Sequence, residues 1–332
     1  MKKNSTLREI SHRRRHLLAT LGVITLSPAS TLAQTAKRPL VGVIRFQPKD
    51  TKDLFPDHFK QAMTASGWRE GDTIDYRFTW TDGNNERLPA LAAEMVSRKV
   101  DVIVTAGAPA TKAVQNATKS IPIVCVTDDM VSARLVESMA KPGGNTTGVS
   151  ILATELDAKR LEILHDAVPA AKRVGLLYDP TITRSMPAVK AAAASFGMEL
   201  VMTAVASETE VAEGIRKIVS AKCAAVNVLA SPILNSARSL QIREFARARL
   251  PAIYEWPDTV EQGGFIGYGP RFSSVTRQIA ELVDKILRGS KPADLPIEQP
   301  TKFDLVINLK AARAMGITIS KSLLVRADKV IQ

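Results

Sequence analysis

Histidine is scarce in this 332-residue chain: only four are present. His12 and His16 fall in the first basic stretch, and His58 and His165 sit on separate helical patterns, so neither a His-based triad nor a His-rich metal cluster can be assembled. No G-x-S-x-G elbow, P-loop or G-x-G-x-x-G after a strand occurs. Catalytic, cofactor and metal sites are therefore not expected. Cysteine is limited to Cys125 and Cys223, each in an apolar run in a different half, which favours two core thiols over a disulfide. Past the N-terminus no apolar run is long enough to span a bilayer. Dense Lys/Arg blocks with interleaved aromatics are missing too, which argues against nucleic acid as a partner.

The beginning of the chain reads as an export signal. Lys2, Lys3, Arg8, Arg13, Arg14 and Arg15 precede the apolar run Leu17 to Leu26, and small residues lead to a cleavage site after Ala33. Arg14-Arg15 also fits a twin-arginine signal. No cysteine near the cut supports a lipid anchor. The formal charge is +12, and the leader's six cations and Glu9 carry an excess of five, leaving +7 on the exported part.

Among the segments that remain, Val100 to Asp128 organises the rest. VDVIVTA, PATKAVQNATK and IPIVCVT read as strand, helix and strand. Strands apolar on both faces belong in a covered parallel sheet, joined by a right-handed crossover. That places Thr105, Gly107 and Ala108 where a strand ends and a helix begins, the usual ligand position in open α/β sheets. The competing reading gives Gly107 a tight turn and Thr105 a helix cap.

The same grammar recurs along the chain. Leu40 to Phe46 is a strand, and helices over Leu54–Met63 and Glu86–Lys99 flank a half-wet strand at Ile74–Trp80. A further helix is expected from Asp128 to Ala140, followed by the turn-rich Lys141-Pro142-Gly143-Gly144-Asn145. From Val149 a second series starts, with Thr154 and Asp157 as a capping box. The expected fold class is α/β: two Rossmann-like lobes with parallel sheets joined by a multi-crossing hinge. The divisions are a signal over 1–33, one lobe over 38–148 plus 268–298, and another over 149–267 plus 299–332.

Candidate ligand-binding residues are those at strand carboxyl ends: Arg45, Phe46, Thr105, Gly107, Ala108, Thr127 and Asp128 in the first lobe, and Tyr178, Ser231, Tyr254, Glu255 and Tyr268 in the second. Aromatics make up only 5% of the chain, yet three of its four tyrosines stand there. They give stacking surface with a polar edge, or they pack the lobes together. Arg45 and the helix N-terminus after Gly107 together suit a carboxylate, and Asp128, Asp179 or Glu255 an ammonium. A two-thiol racemase, with one cysteine on each side of a substrate, is an alternative that Cys125, placed mid-strand, argues against.

RLPALAAEMVSRKVDVIVTAGAPAT, PGGNTTGVS, AKRLEILHDAVPAAKRVGLLYDP, GGFIGYGP and RADKVIQ together resemble the solute-binding proteins of ABC transporters, in the group that includes tryptophan- and tyrosine-binding components. The resemblance implies a type I periplasmic-binding fold, capture of a small amino acid or organic acid between two lobes, and delivery by a periplasmic monomer to membrane permease subunits. An exported ligand sensor of the same fold is the other reading. Arg45-Phe46-Gln47-Pro48 and Asp128-Asp129-Met130 depart from the usual pattern.

Overall fold

Two sheets carry the molecule, and their order follows from alternating strands and helices. The computed structural model describes residues 37–49, 53–182 and 186–332, and Arg38–Gln332 form one compact unit. The export signal expected over 1–33 lies outside the described residues. Along the chain come β1 (Leu40–Arg45), α1 (Phe55–Ala65), β2 (Asp75–Trp80), α2 (Leu88–Ser97), β3 (Val102–Ala106), α3 (Ala108–Ala117), β4 (Ile123–Thr127) and β5 (Thr146–Ser150). The strands form a sheet of order β2-β1-β3-β4-β5, parallel throughout.

The second half contains α4 (Ala153–Ala167), β6 (Arg173–Tyr178), α5 (Pro187–Ser195), β7 (Glu199–Ala204), α6 (Val211–Ser220), β8 (Ala225–Val228), α7 (Pro232–Ser236), α8 (Arg238–Arg247), β9 (Ala252–Tyr254), α9 (Pro257–Glu261) and β10 (Ile266–Gly269). The chain then gives α10 (Phe272–Leu287), β11 (Asp304–Asn308), α11 (Leu309–Ala314), α12 (Lys321–Val325) and β12 (Lys329–Ile331). The second sheet has the order β12-β11-β10-β9-β8-β6-β7. It departs from a purely parallel sheet at one pair, β10 against β11.

The crossings between lobes can be read from sheet membership. β5 runs through Ser150 in the first sheet and β10 through Gly269 in the second. Helix α10 returns to the first lobe, where Val275, Ile279, Leu282 and Val283 join Phe55, Phe59 and Val41 in one core. Glu298 then bridges Val149 at the edge of the first sheet before β11 enters the second. The hinge thus has three crossings.

Two expected local features are absent. No helix follows Asp128: the Asp129 side chain accepts from the N–H groups of Val131 and Ser132, and Arg134 has φ +53°. A side-chain acceptor competing for those donors holds turns instead of a helix, while Met130 and Leu135 still reach the core beside Cys125. Thr154 and Asp157 do not form a capping box. Leu152 is the N-cap residue of α4, in left-handed backbone and without a side-chain cap bond. Asp157 instead pairs with the fully buried Arg160, 2.8 Å away, and Arg160 Nε donates to the Tyr268 carbonyl at 2.9 Å. That bond to the Tyr268 carbonyl ties α4 to the crossing strand β10.

Candidate functional site

Between the carboxyl ends of the two sheets lies a narrow, mostly apolar cleft with about 60 Å³ of open interior, the kind of position in which small-molecule sites form. The first lobe supplies Arg45, Phe46 and Gln47 at the end of β1, Phe55 at the start of α1, Ala106 and Gly107 at the end of β3, Val126 to Asp128 at the end of β4, and Ile151. The second supplies Ile182, Ser231, Pro232, Asn235, Glu255 and Trp256. Phe272, Val275, Thr276 and Ile279 on α10 close it.

The walls are mostly apolar, and three aromatic rings are locked together. Trp256 meets Phe272 edge-on, with centroids 5.2 Å apart at 84°, and Phe55 meets Phe272 at 6.5 Å and 75°. Edge-to-face pairs of this kind fix ring orientation. Phe55 is stacked in turn on Phe59 at 5.3 Å.

The polar groups of the wall have partners within the protein. Arg45 is only 4% exposed and makes a two-pronged ion pair with Asp53, Nε to Oδ2 at 2.8 Å and Nη2 to Oδ1 at 3.1 Å. Its guanidinium lies 4.4 Å above the Phe55 ring. Burial works to raise the Asp53 carboxyl, but Arg45, the Phe55 N–H and Arg238 together hold it below its ordinary value. Arg45 thus reaches the cavity wall with its guanidinium paired to Asp53. Asp128 and Glu255, 8% and 6% exposed, bring carboxylates to the cavity wall, and each is already engaged within the protein.

Of the twelve sequence candidates, the structure brings Arg45, Phe46, Gly107, Thr127, Asp128, Ser231 and Glu255 to this cavity. Five stand elsewhere. Thr105 is buried and shares a 2.9 Å hydrogen bond with Thr111, which braces the Gly107 turn. Ala108 opens α3 and packs toward Cys125. Tyr178 and Tyr268 pack on the core of the second lobe, Tyr268 near Phe303. Tyr254 is buried in a further core, which pushes its phenol upward. Ser231 reaches the cavity but is also a helix cap: its Oγ accepts from the Ile233 N–H and donates to Asp179.

None of the wall rings Trp256, Phe272 and Phe55 is among the twelve sequence candidates. Phe272 follows Gly269-Pro270-Arg271, a turn cluster at a lobe crossing, and that was the available signal. The lobes also interlock. Phe46, from the first, is buried with Leu177, Ile233 and Leu234 of the second, while Ala230 and Trp256 of the second join the first-lobe core.

Neither cysteine lines the cavity. Cys125 is fully buried, with burial pushing its thiol up to about 12 against a weaker lowering by Thr111. Cys223 is also raised by burial. Both are free thiols. The two do not face each other across a substrate space, which overturns the racemase alternative. Among the described residues no helix is long and apolar enough to cross a membrane.

Residues 40–331 match the family of ABC transporter substrate binding proteins. A tyrosine-binding protein of Clostridioides difficile (strain R20291) is 26% identical over 285 residues, covering 85% of this chain and 82% of that protein. The structure of an ABC domain from Streptococcus pneumonia in complex with L-Trp has 26% identity and a TM-score of 0.80, covering 89% of this chain and 100% of that one. A ligand-free, open substrate binding protein with adhesive properties from Clostridium difficile has 25% identity and a TM-score of 0.60, over 89% and 99% of the two chains. The fold is that of type I periplasmic binding proteins. On its sequence match and its two-lobed architecture, this chain belongs to the ABC transporter substrate-binding protein family.

Proposed function

We propose that this protein is the exported, monomeric solute-binding component of an ABC importer, and that it captures an amino acid with an aromatic or large apolar side chain and delivers it to a permease. The observation that carries the reading is the cavity wall: the Trp256–Phe272–Phe55 ring cluster with Ile151, Val275 and Ile279 on one part and two carboxylates on another. The rings suit an apolar side chain. Asp128 and Glu255 suit an ammonium, since a carboxylate offers about four acceptor positions and an existing partner does not exhaust them. The ligand's own carboxylate finds the start of α3 after Gly107, where helix N–H groups lack intrahelical acceptors.

Relatives that bind tyrosine or L-tryptophan support this ligand class. The higher TM-score to the L-Trp complex than to the ligand-free open protein, at nearly equal identity, supports an arrangement in which the lobes are drawn together over the cavity. Solute then favours the closed form through its greater affinity for that state.

A thermal-shift screen over amino acids, their des-amino analogues and sugars tests the reading, because a solute bound only by the native state raises the melting temperature. Aromatic amino acids are expected to give the largest shifts, and Asp128→Asn to reduce them more than those of des-amino acids. Shifts with sugars alone would contradict the ligand class.

A further inference from the structure

The pole of the second lobe opposite the cleft combines an apolar groove with a broad field of cations. Because β6, β8, β9 and β10 run parallel and β11 antiparallel to them, their connections gather Lys172, Lys222, Arg249 and Lys310 at one end. Arg243 on α8 and Arg313 on α11 stand beside them. All six are exposed, and none forms an ion pair among the described residues. The nearby Glu199 is taken by Arg173 at 2.9 Å, and Glu244 lies 3.7 Å from Arg247. Between α8 and α11 a groove of about 760 Å³, mouth included, is floored by Ile242, Ala246, Leu250, Phe265, Ala311 and Met315.

We infer that this pole is a docking surface for an anionic phospholipid membrane, with the groove receiving apolar lipid atoms and the cations receiving the headgroups. An occupant has to be acidic and apolar together. The chain's own leader is basic and is repelled, and a second copy presenting the same pole meets like charge. The width of the field separates a membrane from an acidic helix. From β6 to β11 the cations span four inter-strand gaps, roughly 19 Å, whereas a helix with its side chains is only about 10–12 Å across. A planar sheet of headgroups engages all of them at once, as basic surfaces on anionic leaflets do. The inference concerns the face away from the cavity and stands whatever solute the cavity holds.

Co-sedimentation of the full-length protein with vesicles of phosphatidylcholine, with and without phosphatidylglycerol, is the test. Stronger retention on the phosphatidylglycerol vesicles is expected, weakened about fivefold for each charge removed in Lys222→Gln with Arg249→Gln. Lys112→Gln with Lys291→Gln, an equal loss of charge in the first lobe and its return segment, serves as the control and is expected to bind like the wild type. Ala314→Gln, which sets an amide in the groove at constant charge, is expected to weaken retention as well, and wild-type retention by that variant overturns the groove's role. Equal retention on both vesicle types, pole variants that bind like the control, or binding to an acidic amphipathic peptide with bare phosphatidylglycerol vesicles each overturn the inference.

Discussion

Gly107 and Pro232 meet across the cleft: a Cβ on Gly107 would lie 2.8 Å from Pro232 Cγ, and Gly107 itself has φ +83°. Its loop belongs to the first sheet and Pro232 to the second, so the absence of a side chain sets how closely the lobes approach. Gly107→Ala introduces both a clash and backbone strain of about 1–3 kcal/mol. Since opening the lobes relieves the clash, the variant is expected to bind solute about tenfold more weakly through a smaller closed population. Calorimetric titration checks the affinity.

Phe46 supplies the opposite influence. It projects from the end of β1 into a core made by the second lobe and is 7% exposed. Removing a buried phenylalanine costs about 3–5 kcal/mol in a fixed core, and here the loss falls on the closed arrangement. Phe46→Ala is expected to lower solute affinity by a factor of ten or more, roughly 1.4 kcal/mol per tenfold. Urea melts of the ligand-free protein are expected to change less than the affinity does.

The Arg45–Asp53 pair makes a stability prediction. Arg45→Ala leaves a buried carboxylate and is expected to cost about 3–5 kcal/mol, whereas Arg45→Met combined with Asp53→Asn costs less than the two single changes added together. The sign with pH follows from a folded Asp53 held below its ordinary value of 3.8. Its contribution is complete above the unfolded value and disappears as pH falls through the folded one. Urea melts from neutral pH to below 3.8 are expected to show the stability gap between wild type and Asp53→Asn narrowing only at the acid end.

Trp256 is the wall residue whose loss is expected to hurt binding most. It lines the cavity and holds Phe272 edge-on, so Trp256→Ala removes stacking surface and frees the neighbouring ring. A fall of about 10–100-fold in affinity for an aromatic amino acid is expected, from ring contacts worth about 0.5–1.5 kcal/mol plus the lost burial. Trp256→Phe is expected to restore part of it, as read by calorimetry.

Strand identity was legible because apolar runs such as VIVTA and IVCVT leave no polar face to wet. Side-chain direction at the strand ends was not. A one-residue change in register turns a side chain to the opposite face, so Tyr178, Tyr254 and Tyr268 could be placed at loops but not aimed, and all three pack into cores. The fate of Arg45 was hidden for another reason: its partner Asp53 lies eight residues on, in a stretch without periodicity. Phe55 falls on the helix expected over Leu54–Met63, and it serves both the core and the cavity wall.

Small-angle scattering measures closure of the lobes over a solute directly. The protein is unfolded and refolded to strip bound solute, then measured before and after saturation with the amino acid giving the largest thermal shift. A decrease in radius of gyration on saturation, absent in Phe46→Ala at the same solute concentration, is predicted. An unchanged radius with the solute demonstrably bound would contradict it.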